Sequence, residues 1–323
     1  MAAGAARRRK AKDFHDLFIL TALGIARESA TLVLKRLSFF TSITVFLIIP
    51  VSAATIISKA FTDHLPVTQL ALQIQALCFT LGYPNLIYQK LSETVISYMV
   101  CFPFVVTFSL VARAAVAHTV AYLYAGGNSP SWQKIIQAIP KLWKGLVVTY
   151  IWGCLIVFGY SVLIFGFLLA TVNLVILLAL STDWVFWTGL CWGIVYSIGF
   201  AHAIALCNLA TIVCVLEDGC SGMEAVCRAK FLIRGRTQVA LLIVVITGLG
   251  LAFVEGLFQY RVMVNDKMDC FGAVSEASLL IFMYSLVSLL DVVMNCVFYY
   301  TCKVARLEGL CLDSPFFTNS LEE

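Results

Sequence analysis

The sequence predicts an all-α fold: a polytopic membrane helix bundle of about six transmembrane helices, with cytoplasmic interfacial helices beside them. Three observations predict it. Hydrophobic residues make up 61% of the 323 positions and charged residues only 12%, with a mean hydropathy of +0.94. A soluble protein of that size needs more polar surface than this to cover its core. The apolar residues are gathered into six runs, each long enough to cross a hydrocarbon layer of about 30 Å, which takes about 20 helical residues. Basic residues are distributed unevenly between the segments that join those runs, as they are in membrane proteins of defined orientation.

Residues 1–13, with Arg7, Arg8, Arg9, Lys10 and Lys12, read as a basic, disordered, cytosolic N-terminus. No apolar run follows them directly and no small-residue cleavage site appears, so a cleaved signal peptide is not expected. Residues 14–305 read as a single six-helix transmembrane domain, and 306–323 as a cytosolic tail. FHDLFILTALGIARESATLVLKR, at 14–36, has the pattern of a surface helix. Spans are expected near 39–61, 95–125, 146–172, 184–215, 238–260 and 276–302. Some exceed a simple crossing, so tilt, kinking or extension past the bilayer is expected. Pro50 and Pro103 fall inside spans and should kink them. Between the third and fourth spans only Ser181-Thr182-Asp183 offers a break.

With the N-terminus inside, the cytosolic pieces carry seventeen of the twenty-two basic residues. The opposite side has Lys59, Lys90, Arg261 and Lys267, and Arg113 is left within a span. Both termini are therefore expected in the cytosol. SWQKIIQAIPKLW, at 131–143, sets Trp132, Ile135, Ile136, Ile139 and Leu142 at helical spacing. It reads either as a short helix in the membrane interface or as one docked on the bundle, with Pro140 weakening its end.

The most charged stretch is VLEDGCSGMEAVCRAKFLIRGR, at 215–236, between two strongly apolar runs. Ser221-Gly-Met-Glu224 has the spacing of a capping box, Glu224 and Arg228 lie one turn apart, and Gly235 suits a left-handed helix end. This stretch repeats an order of features found at 120–145, namely a span end, a glycine turn, a helix-sized segment, then a basic residue and glycine (Lys144-Gly145 and Arg234-Gly235). Glu217 and Asp218 alone lack a local structural explanation. As a catalytic pair they have no histidine, metal cluster or phosphate loop nearby. A structural role is favoured, paired with a basic residue such as Lys144 or Arg236.

The joint LEDGCSGMEAVCRAKFLIRGR, HTVAYLYAGG followed by IPKLWKGLVVTYIWG, and the late VFYYTCK resemble segments of a plant family of uncharacterised polytopic transmembrane proteins. More distantly, the joint is similar to the membrane domain of bacterial glycerophosphodiester phosphodiesterases, although Cys220 and Ser221 depart from that pattern. The resemblance implies a fold and a membrane address. It implies no reaction, because nothing in the chain resembles the soluble barrel that carries those enzymes' metal-binding acids.

A charge at mid-bilayer costs roughly 2.5–3.5 kcal/mol, so each one within a span needs a partner or an aqueous path. The candidates are Arg113 in span two, His202 in span four, Glu255 in span five, and Asp291 with Asn295 one turn apart in span six. An Arg113–Asp291 interaction is expected, with Glu255 the alternative acid. Gly248, Gly250 and Gly256 should permit close helix approach. Most of the twelve cysteines lie in apolar runs and read as packing residues, whereas Cys78 and Cys270 could form a disulfide. No catalytic, cofactor-binding or metal site is expected, no cofactor, and no nucleic-acid partner. The expected partners are membrane lipids, with protein partners or a second copy of the chain also open. Three functions stay in view: a non-enzymatic membrane protein that organises lipids or partners, a small transporter or lipid-translocating protein, and a membrane-embedded enzyme.

Overall fold

The computed structural model describes residues 22–60, 85–126, 132–178, 182–217, 219–263 and 270–312. Among the described residues every regular element is helical. In chain order the helices are α1 (22–35), α2 (Leu37–Ile43), α3 (Ile49–Ala60), α4 (Asn85–Tyr124), α5 (Trp132–Leu177), α6 (Thr182–Leu216), α7 (Met223–Ile233), α8 (Thr237–Phe258) and α9 (Cys270–Leu312). Six stretches are long and apolar enough to cross a membrane: Leu37–Ile56, Pro103–Tyr124, Ile139–Val175, Phe186–Leu216, Thr237–Val262 and Val274–Arg306. Six such helices are expected from the sequence, and each overlaps one of the expected apolar runs. Asp218, Cys78, the 1–13 segment and the last eleven residues lie outside the described residues.

The helices gather into two compact units. One holds residues 1–35, 117–246 and 291–323, the other 36–116 and 247–290. Arg113 and Glu255, both half-buried, belong to the second unit, and Asp291, Asn295, Glu217 and His202 to the first.

In the second unit α2 runs into α3 through a π turn at Thr44–Ile48, where the Ile49 N–H donates to the Thr44 carbonyl. Pro50 follows at once and has no N–H to return to the preceding turn, which is the physical reason for irregular wiring there. The expected disturbance at Pro50 thus takes the form of a π turn. Buried Phe40, Ile43, Ile48 and Ile56 line one side of this rod. Of the three glycines expected to allow close approach, only Gly250 does so, since a Cβ there would meet Val287 Cγ1 at 3.2 Å. Gly248 and Gly256 face open space.

In the first unit α5 and α6 form a long antiparallel hairpin. The expected short helix at 131–143 is not separate, because α5 continues from Trp132 through Pro140 to Leu177 without a break. Its 46 residues span about 69 Å, more than twice a hydrocarbon core. The hairpin changes character along its length. On α6, Leu209, Ala210, Ile212, Val213 and Val215 are buried, whereas Phe186, Trp187, Leu190, Ile194 and Ile198 are exposed. On α5, Leu146 and Thr149 are buried, whereas Leu155, Phe158, Val162, Leu163 and Phe165 are exposed. The end of the hairpin near the joint is protein core, and the rest of its apolar side chains face outward.

Small residues bring the two helices together. Cys207 packs on Gly153 and its thiol faces the Gly153 carbonyl at 3.7 Å. Tyr160 lies across Gly199, where any Cβ would collide with its hydroxyl, and donates to the Val195 carbonyl at 3.1 Å. Helix α7 then folds back along the inner half of the hairpin, burying Ala225, Val226, Ala229, Leu232 and Ile233 on one face. Burial of a side chain the size of Val, Leu or Ile is worth about 1.5–3 kcal/mol, enough to dock an 11-residue helix that would not persist alone.

Candidate functional site

The charged joint at 215–236 is built around two residues that propensity alone does not pick out. Helix α6 ends at Leu216, and the chain turns through Gly219 (φ +85°) and Gly222 (φ +61°) before α7 begins. The N-cap of α7 is Gly222 and no side chain caps it, so the expected capping box at Ser221 does not form. Ser221 sits one residue too early, and Gly222 takes the cap with a backbone conformation that other residues rarely adopt. The Gly222 N–H donates instead to Thr149 Oγ1 on α5 at 2.8 Å, and that hydroxyl donates to the Gly145 carbonyl at 2.8 Å. A tertiary contact has replaced the local one.

Glu217 is the centre of the site. It sits just past the end of α6, its side chain 20% exposed. Its Oε1 accepts from the Tyr299 hydroxyl at 2.8 Å and lies 3.7 Å from Lys303 Nζ. Its Oε2 lies 3.9 Å from Arg228 Nε. Lys303 also donates to the Tyr299 hydroxyl at 3.0 Å and sits over that ring, 5.3 Å from its centroid. One carboxylate therefore ties together α6, α7 and α9, through charge-assisted hydrogen bonding and two ion pairs. Its partners are Lys303 and Arg228 in place of the expected Lys144 or Arg236, while Asp218, grouped with it in that expectation, lies outside the described residues. Arg228 accordingly turns to Glu217 rather than pairing only along its own helix with Glu224, whose carboxylate receives the Cys220 thiol at 3.8 Å.

The other end of α7 closes as its glycine suggests, with Gly235 at φ +95°. The cation that serves its last carbonyls is not Arg234. Arg306, from α9, donates through Nη2 to the carbonyls of Phe231 at 2.7 Å and Arg234 at 3.2 Å. Its guanidinium also lies 4.3 Å from the Phe231 ring centroid. Helix α1 is held to the same unit by Glu28, whose carboxylate accepts from the Tyr124 hydroxyl, while the Tyr124 and Tyr300 rings pack at 4.5 Å.

Two further candidates of the same unit, Asn295 and His202, have other surroundings. Asn295, buried, donates its amide to the Asp291 carbonyl at 2.8 Å and to Asp291 Oδ1 at 3.1 Å, a contact within one turn of α9. His202 is exposed on α6 and lines a cavity of about 640 Å³ that also meets Lys230 and Arg234. Tyr299, Lys303, Arg306 and Thr149 are the functional positions missed in the sequence. Tyr299 and Lys303 stand four apart on a helix, which was the available signal. Nothing local marks Thr149 or Arg306.

This arrangement holds helix ends in place. Each polar group of the cluster has a partner from another helix. Among the described residues no group of three or more His, Cys, Asp or Glu is arranged to hold a metal ion. A family model described as a domain of unknown function, DUF8558, matches residues 11–322. No curated protein and no solved structure matches the sequence.

Proposed function

The chain belongs to the DUF8558 family, and from that premise we propose that it is a non-enzymatic multi-pass membrane protein, both termini cytosolic, that organises lipids or partner proteins. The observation that carries this reading is the division of labour in the first unit. Glu217, Arg228, Lys303 and Arg306 near the joint tie helices together, while the outer part of the α5–α6 hairpin presents large apolar side chains outward. Such a surface suits acyl chains or another membrane helix. The excess of basic residues on one side supports the orientation. The likeness of the joint to the plant family and to the membrane domain of bacterial glycerophosphodiester phosphodiesterases belongs to the same reading, and favours a scaffold over a reaction.

Purification of the full chain in native-lipid patches tests the proposal. Defined lipids or proteins are expected to come with it, and liposomes containing it should show no solute flux. Voltage- or proton-dependent flux would favour the small transporter using polar residues of spans two, four, five and six. Exposed Cys227 reports orientation. A membrane-impermeant maleimide should reach it in permeabilised cells and not in intact ones.

A further inference from the structure

The cavity beside His202 lies where the α5–α6 hairpin changes from covered to outward-facing. Its apolar wall comes from Ile156 and Tyr160 on α5 and Leu206 on α6, and its basic edge from Lys230 on α7 and Arg234 just past the end of that helix. Among the described residues no acidic side chain lines it. Tyr160 is fixed as part of the wall by its bond to the Val195 carbonyl and its stacking on Tyr196 at 6.0 Å. Arg306 adds a third cation close by, held against Phe231 and the carbonyl of Arg234. Further along the same helix pair, an apolar groove of about 470 Å³ opens between Phe165 and Trp192, bordered by Tyr196.

We propose that this cavity is a binding site for one anionic glycerophospholipid. The lipid phosphate sits at Lys230 and Arg234, and an acyl chain runs past Tyr160 and Leu206 onto the outward face of the hairpin. The site deepens the lipid-organising reading and rests on it. Two features select a lipid over a soluble anion. The cations are exposed, so a free phosphate there gains little against water, whereas a lipid adds burial of its chain along the apolar wall. The cations also stand where the surface turns from polar to apolar, which is the depth of a headgroup when the hairpin spans a bilayer. Phosphate charge and chain length are therefore matched at one place.

The full chain is reconstituted in phosphatidylcholine nanodiscs containing a minor fraction of phosphatidic acid, then extracted and weighed intact by native mass spectrometry. Wild type is expected to retain one phosphatidic acid in preference to phosphatidylcholine. The double variant Lys230→Gln, Arg234→Gln should bind it about thirtyfold more weakly, two basic contacts at the strength usual near a membrane surface. Ala203→Trp, which fills the wall and keeps both cations, should also lose it. Lys144→Gln, an exposed cation that does not line the cavity, should retain it. Equal retention of the two lipids by wild type overturns the site without any variant. So does retention by both cavity variants, or displacement of the lipid by inorganic phosphate alone. Lipid retention is read independently of flux. A protein that conducts yet keeps phosphatidic acid overturns the scaffold reading and leaves the site, and one that neither conducts nor keeps it overturns only the site.

Discussion

Helix α6 contains two apolar stretches that hydropathy cannot tell apart. Leu209, near its end, is 1% exposed, and Ile194, about four turns earlier, is 55% exposed. The buried stretch is rich in small and β-branched residues (Ala205, Ala210, Thr211, Val213, Cys214), which let α5 and α7 approach. The exposed one carries Trp184, Phe186, Trp187 and Leu190. One is apolar because protein covers it, the other because it is presented outward. This explains why a 31-residue apolar run exceeds one crossing: part of it is the core of the unit that holds the joint.

Substitutions that break this contrast follow in order of size. Leu209→Ala leaves a cavity in the buried half and should lower stability by about 2–5 kcal/mol, read as the midpoint of unfolding in mild detergent. An unchanged midpoint would mean that the inner half is not a packed core. Gly222→Ala forces a side chain into φ +61° and to within 3.0 Å of Val148 Cγ1. It should cost about 1–3 kcal/mol and loosen α7, seen as faster amide exchange over 223–233. Tyr299→Phe removes the hydroxyl shared by Glu217 and Lys303, for about 1–2 kcal/mol, since Glu217 keeps its cations and some water. If Lys303→Met costs as much, the ion pair rather than the hydroxyl holds the cluster. Such a result would be unexpected for a half-exposed lysine. Arg306→Met should cost about 1 kcal/mol through two carbonyl contacts and the Phe231 stacking, again with exchange concentrated at the end of α7. Ile194→Ala should change detergent stability by less than about 0.5 kcal/mol, and a larger loss would show that the outer half is covered after all.

The paired glycines of the quasi-repeat mark where local reading ends. Lys144-Gly145 and Arg234-Gly235 have the same pattern and precede a span in the same way. Gly235 breaks the chain at φ +95°, as expected of a helix end. Gly145 stays inside α5, where the missing Cβ admits Ser221 at 3.2 Å and Cys214 at 3.3 Å. Among the described residues the first copy turns at Gly126 (φ +79°), and the second turns at both ends of α7. A glycine that opens a turn and a glycine that admits a neighbour have one letter, and only the neighbour distinguishes them.

Composition and periodicity determined the helical class and the presence of six long apolar helices, because crossing a hydrocarbon layer imposes a length and an apolarity that no other chain segment needs. They also located the charged joint and marked Glu217 as the residue still needing an explanation. Tertiary structure decided what Glu217 does, because Tyr299 and Lys303 lie more than eighty residues away and meet it only when α9 returns. It likewise moved the cap of α7 from Ser221 to Gly222, the service of its last carbonyls from Arg234 to Arg306, and half of α6 from outward surface to core. Hydrogen bonds and packing across helices are set by three-dimensional neighbours, and a linear pattern records the residues without recording which of them will meet.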